Sequence, residues 1–439
     1  MRTVPELVFL NCCHLAGRDA SLTLQPYDRA TFAANIAQAL IEVGVRCVIA
    51  AGWAVEDGPA ETFATTFYSV LLRGERFIDA VAAAREAAWR ESPQGNTWAA
   101  YQCYGDPGWT WSRGGADAQR KAAPVGDEFA GVSSPVALAL ALETLAIRSR
   151  FSNARPESQR DKLHFLEAKF APEWGAMGAI AEAFGLAYAQ AKDSAKAIAW
   201  YRTAVNALDG SASFRAAEQL GNQLARHGES LPDAGAARAM IKEGISQLGR
   251  LVALQATAER ECLLGSAWKR LVLLEARAGD DAASLQALEK MIAHYANAET
   301  MTRAAQADNL FYPAMNSINA ELRLAFLQKR APRLAEERLS AVRQSLDQAA
   351  TKTPDFWSVV GQTELRVLEA LAQGRLAGAG PGLLQAFREL KARVPATSNW
   401  DSVYTEARFT LEPYQLLSNA PEQRAAAEML KGLKALASA

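Results

Sequence analysis

From Pro135 to Leu433 the chain runs for about three hundred residues without one convincing strand, and this constrains the fold more than any single motif. Alanine, leucine, glutamate, arginine and glutamine dominate there at helical spacing. An all-α stretch of that length buries its apolar faces by stacking similar units, so internal repeats are the first thing to seek. One unit stands out. In Glu182–Tyr188, followed by Ala197, Tyr201 and Ala204, residues fall where a helix–turn–helix repeat of ~34 residues places its signature. Phe184-Gly185 forms a large–small pair in which Gly185 lets a facing helix approach closely, and Tyr188 follows on the same face one turn later. Ala197 is the small contact of the second helix, and Tyr201 and Ala204 extend its buried stripe. A weaker unit follows at Leu220-Gly221, Leu224 and Gly228, and another runs through Leu271, Gly279, Leu288 and Met291. A plain helical domain with an alanine-rich core would share the composition, but not these spaced positions together.

The first 112 residues read differently. Leu7 to Leu10 is an apolar run too short for a helix, and it reads as a buried parallel strand. Cys12 and Cys13 follow where that strand would emerge, and α/β folds place their chemistry at the carboxyl ends of strands. Tyr27 to Val43 reads as an amphipathic helix through Phe32, Ile36, Leu40 and Ile41, with Gly44 as its stop. Val45 to Ala51 is a second strand. Asp57, Pro59 and Glu61 open the next helix, which runs to Leu72 and ends at Arg73-Gly74. Ile78 to Arg90 is a further helix, and Trp98 to Tyr104 alternates like a strand before the turn Gly105-Asp106-Pro107. Strands alternating with helices give an α/β order. Ser112 to Ser134 is polar and glycine-rich, as a linker is. The expected organisation is therefore an α/β sheet domain over 1–112, a linker over 113–135 and an all-α repeat domain over 136–439.

Composition narrows the function. A chain of 439 residues exceeds one compact core, and half of its residues are hydrophobic. Lysine plus arginine number 47 against 48 acidic residues, a formal net charge of −1, which argues against a nucleic-acid or anionic-membrane binder. The longest apolar stretch, Val136 to Leu142, falls well short of the ~18 residues of a membrane span. Pro5 and Glu6 interrupt the N-terminal apolar run, so no signal peptide is read there, and Asn11 before Cys12 does not fit a lipoprotein site. Five cysteines, at 12, 13, 47, 103 and 262, do not form a disulfide framework, and a reducing cytoplasm is expected. Metal binding is not expected either, because Cys12-Cys13-His14 are contiguous whereas zinc sites space their ligands. No cofactor is expected.

The landmarks of residues 5–109 resemble, in their order, the C-terminal portion of a CHAT domain, the caspase-like cysteine peptidase fold. They are Leu7–Leu10 with Asn11-Cys12-Cys13, then Ala39-Leu40 and Val43-Gly44, then Val48–Val55 with Asp57 behind it. Phe63, Phe67-Tyr68, Leu71-Leu72, Gly74, Ala80 and Ala84-Arg85 come next, and Trp98–Tyr101 leads into Tyr104–Pro107. The helical half is similar to tetratricopeptide (TPR) repeats, a frequent companion of CHAT domains. The resemblance implies that Cys13 is the nucleophile, with Cys12 in the small-residue slot before it, and that the base is a histidine in a His-Gly context closing the preceding strand.

This sequence holds no such strand. His14 is a poor substitute, since a productive pair needs ~2.6–3.2 Å between heavy atoms and neighbours in sequence rarely face each other. His164, His227 and His294 lie in the helical half. The resemblance also puts Asp57 beside the substrate cleft, where it would receive a basic side chain, although a helix N-cap explains it equally. Trp53 could line that cleft or simply pack behind the second strand. Without preceding strands, Leu7–Leu10 becomes an exposed apolar edge that another polypeptide should cover. The expectation is a fragment of a longer CHAT protein, a misplaced start site, or a split product needing an N-terminal CHAT half in trans. Two functions are open. One is a CHAT-type cysteine endopeptidase with protein or peptide partners on its TPR-like half, the other a non-catalytic TPR adaptor carrying a remnant CHAT domain.

Overall fold

The computed structural model describes residues 5–10, 36–38, 40–41, 44–53, 55–111, 129–151, 156–352, 356–393, 397–416 and 419–438. Three short strands form one sheet: β1 (Leu7–Leu10), β2 (Cys47–Ala51) and β3 (Tyr101–Gly105), in the order β1-β2-β3. β1 runs parallel to β2 with Leu7 opposite Cys47 and Leu10 opposite Ala50. β3 returns antiparallel, with Ala51 opposite Tyr101 and Cys47 opposite Gly105.

The pleat divides the side chains between two apolar layers. Leu7, Phe9, Cys47, Ile49 and Tyr101 face α1 (Asp57–Leu72) and α2 (Phe77–Glu91), where Phe63, Phe67, Leu71 and Ala84 complete the core. Val8, Leu10, Val48 and Tyr104 pack on the other side against Ala37, Leu40 and Ile41, whose backbone is helical. Covering both faces is what a sheet with near-continuous apolar strands requires.

Two boundaries differ from the sequence reading. Residues 97–100 form a helical turn, α3 (Thr97–Ala100), so the alternating pattern becomes a strand only at Tyr101. The turn is tied down from both sides: Gly52 N–H donates to Ala100 O at 2.8 Å, and Glu56 N–H donates to Thr97 Oγ1 at 3.0 Å. Val45 lies before β2, its N–H donating to Leu40 O, which leaves only Cys47–Ala51 for the ladder.

The rest of the described chain is helical: α4 (Pro135–Phe151), α5 (Pro156–Trp174), α6 (Gly178–Gln190), α7 (Ser194–Val205), α8 (Phe214–Ser230), α9 (Ala234–Leu254), α10 (Ala258–Ala278) and α11 (Asp281–Ala304) come first. Next are α12 (Phe311–Leu327), α13 (Glu336–Lys352), α14 (Phe356–Ala372), α15 (Leu376–Arg393), α16 (Thr397–Gln415) and α17 (Ala420–Ser438). Several starts are set by a side-chain cap. Asp193 accepts from Lys196 N–H, Asp233 from Ala236 N–H, Thr257 from Arg260 N–H and Asp280 from Ala283 N–H. Gly279 stops α10 in the left-handed conformation, φ 77°, that favours glycine.

The chain forms two compact units, one of residues 2–175 with 186–192 and one of 176–185 with 193–439. Within the second, consecutive helices pair: α8 with α9, α10 with α11 and α16 with α17. Alternate helices also touch, α8 on α10 and α12 on both α14 and α16. The expected repeat is present. Phe184 of α6 stacks on Trp200 of α7 with centroids 4.5 Å apart, and a Cβ on Gly185 would come within 2.7 Å of the Tyr201 ring. Gly178, at the start of α6, donates to Asp209 beyond the end of α7, so the two helices are antiparallel.

Candidate functional site

Parallel pairing brings the carboxyl ends of β1 and β2 to one end of the sheet, since Leu10 and Ala50 are direct partners. Tyr101, opposite Ala51, opens β3 at the same end. Cys12, Cys13 and His14, which come after β1, lie outside the described residues. Beyond β2 the chain bends through Gly52 and Trp53 and enters α1 at Asp57. Gly52 is crowded, for a Cβ there would lie 3.3 Å from Gln102 and 3.4 Å from Ala100 O.

Trp53 is half-buried, and its indole N–H is enclosed without a hydrogen-bond partner among the described residues. Such a donor normally finds an acceptor when buried. Asp57 is exposed, and the structure corrects its reading as an N-cap. The cap position is Glu56, with no side-chain cap bond, and Asp57 is the first residue of the helix. A carboxylate there is favoured by the positive end of the helix dipole, which accounts for the residue type without a cap.

Sequence reasoning missed the role of Arg85. From α2 it donates through Nη2 to Tyr101 O at 3.0 Å, at the carboxyl end of β2, while its Nε is buried without a partner among the described residues. Only the pairing of β3 with β2 reveals this position. The signal in the sequence was Arg85 following the alanine run Ala82-Ala83-Ala84.

The three described cysteines are free. Cys47 is fully buried and donates to Asp106 O at 3.4 Å, and burial pushes its thiol far above the usual range. Burial pushes the Cys103 thiol up to about 11, with Arg85 opposing, and the Cys262 thiol up to about 12, with Glu259 and Glu261 adding to the rise. Thiolate chemistry is unavailable to all three at neutral pH. The described histidines are all on helices: His164 beside the Tyr188 ring, His227 on α8, and His294 with Nδ1 2.7 Å from Glu261. Among the described residues no group of three or more His, Cys, Asp or Glu side chains could hold a metal ion, and no helix is long and apolar enough to cross a membrane.

A small mixed sheet covered on both faces, with antiparallel helix pairs after it, defines an α/β domain joined to an α-helical repeat region. The comparisons with known families carry the same division. The CHAT domain model matches residues 1–106, and the Tetratricopeptide Repeats-Sensor model matches residues 193–320. The chain thus carries a CHAT domain followed by TPR-type repeats, and the second match begins at the cap of α7. No curated protein matches the chain.

Proposed function

We propose that this chain is a CHAT-type cysteine endopeptidase module whose nucleophile is Cys13 and whose TPR-type region docks protein or peptide partners. The observation that carries the reading is the parallel, in-register end of β1 and β2. The carboxyl ends of parallel strands are where such folds assemble a cleft, and β2 leads from that end through Trp53 to the start of α1 at Asp57, which supports the reading. In this reading the Cys13 thiolate attacks the scissile carbonyl, the C–N bond breaks as the amine leaves with a proton from the histidine, and water then hydrolyses the acyl-enzyme. Backbone N–H groups at the strand end hold the oxyanion. The exposed Asp57 receives a basic substrate side chain, and the unpartnered Trp53 N–H donates to the substrate backbone. Residues 1–112 act as the CHAT portion, 113–135 as a linker and 136–439 as the helical interaction region. Free thiols fit a reducing, cytoplasmic setting.

The base is supplied by a histidine-bearing strand of a CHAT N-terminal half, contributed in trans or by further chain. Loss of one member of a catalytic pair costs several orders of magnitude in rate. The purified 439-residue chain is therefore expected to leave a fluorogenic peptide library uncleaved on its own. Robust turnover abolished by Cys13→Ala would overturn the base assignment and return His14 to that role.

A non-catalytic adaptor is the second reading. It is favoured by the described histidines all lying on helices outside the sheet. No alkylation of Cys13 by a peptidyl electrophile, with or without a supplied histidine strand, would select it.

A further inference from the structure

The helix α2 buries one face and carries a second apolar line on its solvent side. Phe77, Ala80, Val81, Ala84 and Ala88 are buried in the core that the sheet shares with α1. Ile78, Ala82, Arg85 and Trp89 form the other line, spaced by four, three and four residues. That alternation is the seam along which two helices pack side by side at a shallow angle. Ile78 is 49% exposed and Trp89 47%, with Ala82 exposed between them. Exposed apolar side chains scattered singly need no explanation. Here two large ones are aligned over three turns of one helix, and the small Ala82 between them lets a second backbone come close. Arg85 does not break the line, because its head is drawn to Tyr101 O at 3.0 Å, which leaves its aliphatic stem along the seam.

The line is also self-complementary. When α2 is set antiparallel to its own copy, about a twofold axis level with Ala83 and Ala84, Ile78 stands opposite Trp89 of the second copy and Ala82 opposite its Arg85. The flanking charges agree with this arrangement, since Asp79 comes opposite Arg90 of the second copy, twice over. A parallel arrangement would instead set Asp79 against Asp79 and Arg90 against Arg90. Within one copy these charges make only exposed local pairs, Arg76 with Asp79 and Glu86 with Arg90, which hold them weakly. An apolar centre with a rim of charge is the anatomy of a protein interface.

We propose that this face of α2 is a homodimer interface, on which a second copy of this chain packs its own α2 antiparallel across Ile78, Ala82, Arg85 and Trp89. Arg85 ties α2 to β3, at the opposite edge of the sheet from β1, so the dimer leaves the outer edge of β1 accessible. The inference therefore holds for either reading of the function. A contact along fifteen helical residues is about 22 Å long and sits at the low end of specific interfaces, which corresponds to a micromolar dimer.

Sedimentation of the full chain at low salt, from about 1 to about 200 μM, covers the range that such an interface warrants. The weight-average mass is expected to climb with concentration from 47.3 kDa towards twice that value. Trp89→Glu and Ile78→Glu each put a carboxylate into the seam and should weaken association about tenfold or more. Both positions are exposed, so circular dichroism should match the parent's, which separates lost association from lost fold. Charge reversals read the orientation. Asp79→Arg and Arg90→Asp should each weaken self-association about threefold. An equimolar mixture of these two variants should restore it, because both Asp–Arg contacts are remade between unlike chains. The proposal is overturned if the chain stays at 47.3 kDa throughout, if the Trp89 and Ile78 variants associate as well as the parent, or if the mixture associates no better than either charge variant alone.

Discussion

At the scale of single residues, the described cysteines mark out by contrast what a nucleophile here would need. Cys47, Cys103 and Cys262 are held protonated by burial, so an electrophile finds little thiolate at any of them. In the proposed reading Cys13 has the opposite surroundings, leaving a strand end among backbone N–H groups. Iodoacetamide under native conditions at neutral pH, read by mass spectrometry, should therefore mark Cys13 first. Faster labelling of Cys47 or Cys262 would sink the site assignment. Glycines give a second prediction at this scale, because two of them in helices stand in opposite surroundings. A Cβ at Gly185 would press into the Tyr201 ring at 2.7 Å, whereas one at Gly249 on α9 would meet nothing within 4 Å. Gly185→Ala should cost about 1–3 kcal/mol by overpacking, and Gly249→Ala should gain roughly 0.5–1 kcal/mol from helix propensity. Thermal melts of the two variants should move in opposite directions; equal shifts would deny the close approach of α6 and α7.

At the scale of elements, legibility tracked how local the determining contacts are. β1 was readable as a strand because four apolar residues in a row are too few for a helix, although all four are half-buried rather than buried, and Gly185 with Tyr201 was readable because repeat spacing encodes one helix pair. The start of β3 was not, since residues 97–100 coil under hydrogen bonds from Gly52 and Glu56, more than forty residues back in sequence. Nor was Arg85, whose partner Tyr101 is fixed by strand pairing. The least readable case is Pro413 inside α16. Proline has no N–H, so the carbonyl four residues earlier, Phe409 O, loses its helical donor. Arg323 of α12 supplies the missing donor from 86 positions away. A double-mutant cycle tests this substitution of partners. In a Pro413→Ala background the helix can donate to Phe409 O itself, so Arg323→Met should change stability less there than in the parent, with a coupling of about 0.5–1.5 kcal/mol in denaturant melts. Additive effects would mean that Arg323 does not stand in for the missing N–H.

At the scale of the whole molecule, the division into an α/β half and an all-α half was legible from periodicity alone, but the polar wall of the helical half was not. Its members Lys269, Asn319, Arg323 and Glu406 come from three helices, α10, α12 and α16, and no window of sequence brings them together. The near-zero net charge hides it further, because opposite charges elsewhere are satisfied in pairs such as Arg238 with Glu275 and Arg338 with Glu299. Glu364 makes the wall visible to a global measurement. Its carboxyl is raised from the ordinary 4.5 to about 8, first by burial and then by Glu406, with Lys269 opposing. The folded chain therefore keeps a proton that the unfolded chain releases between those values. That contribution to stability is complete below about 4.5 and is lost progressively as pH rises towards 8. Glu364→Gln holds a neutral amide at every pH and should abolish this loss. The variant's Tm should match the parent's near pH 5 and exceed it at pH 8. Water reaching the half-exposed group reduces the expected gap to about 1–2 kcal/mol. Parallel stability curves for the two chains across that range would show that Glu364 is ionised in the fold and that the wall is more open than its geometry implies.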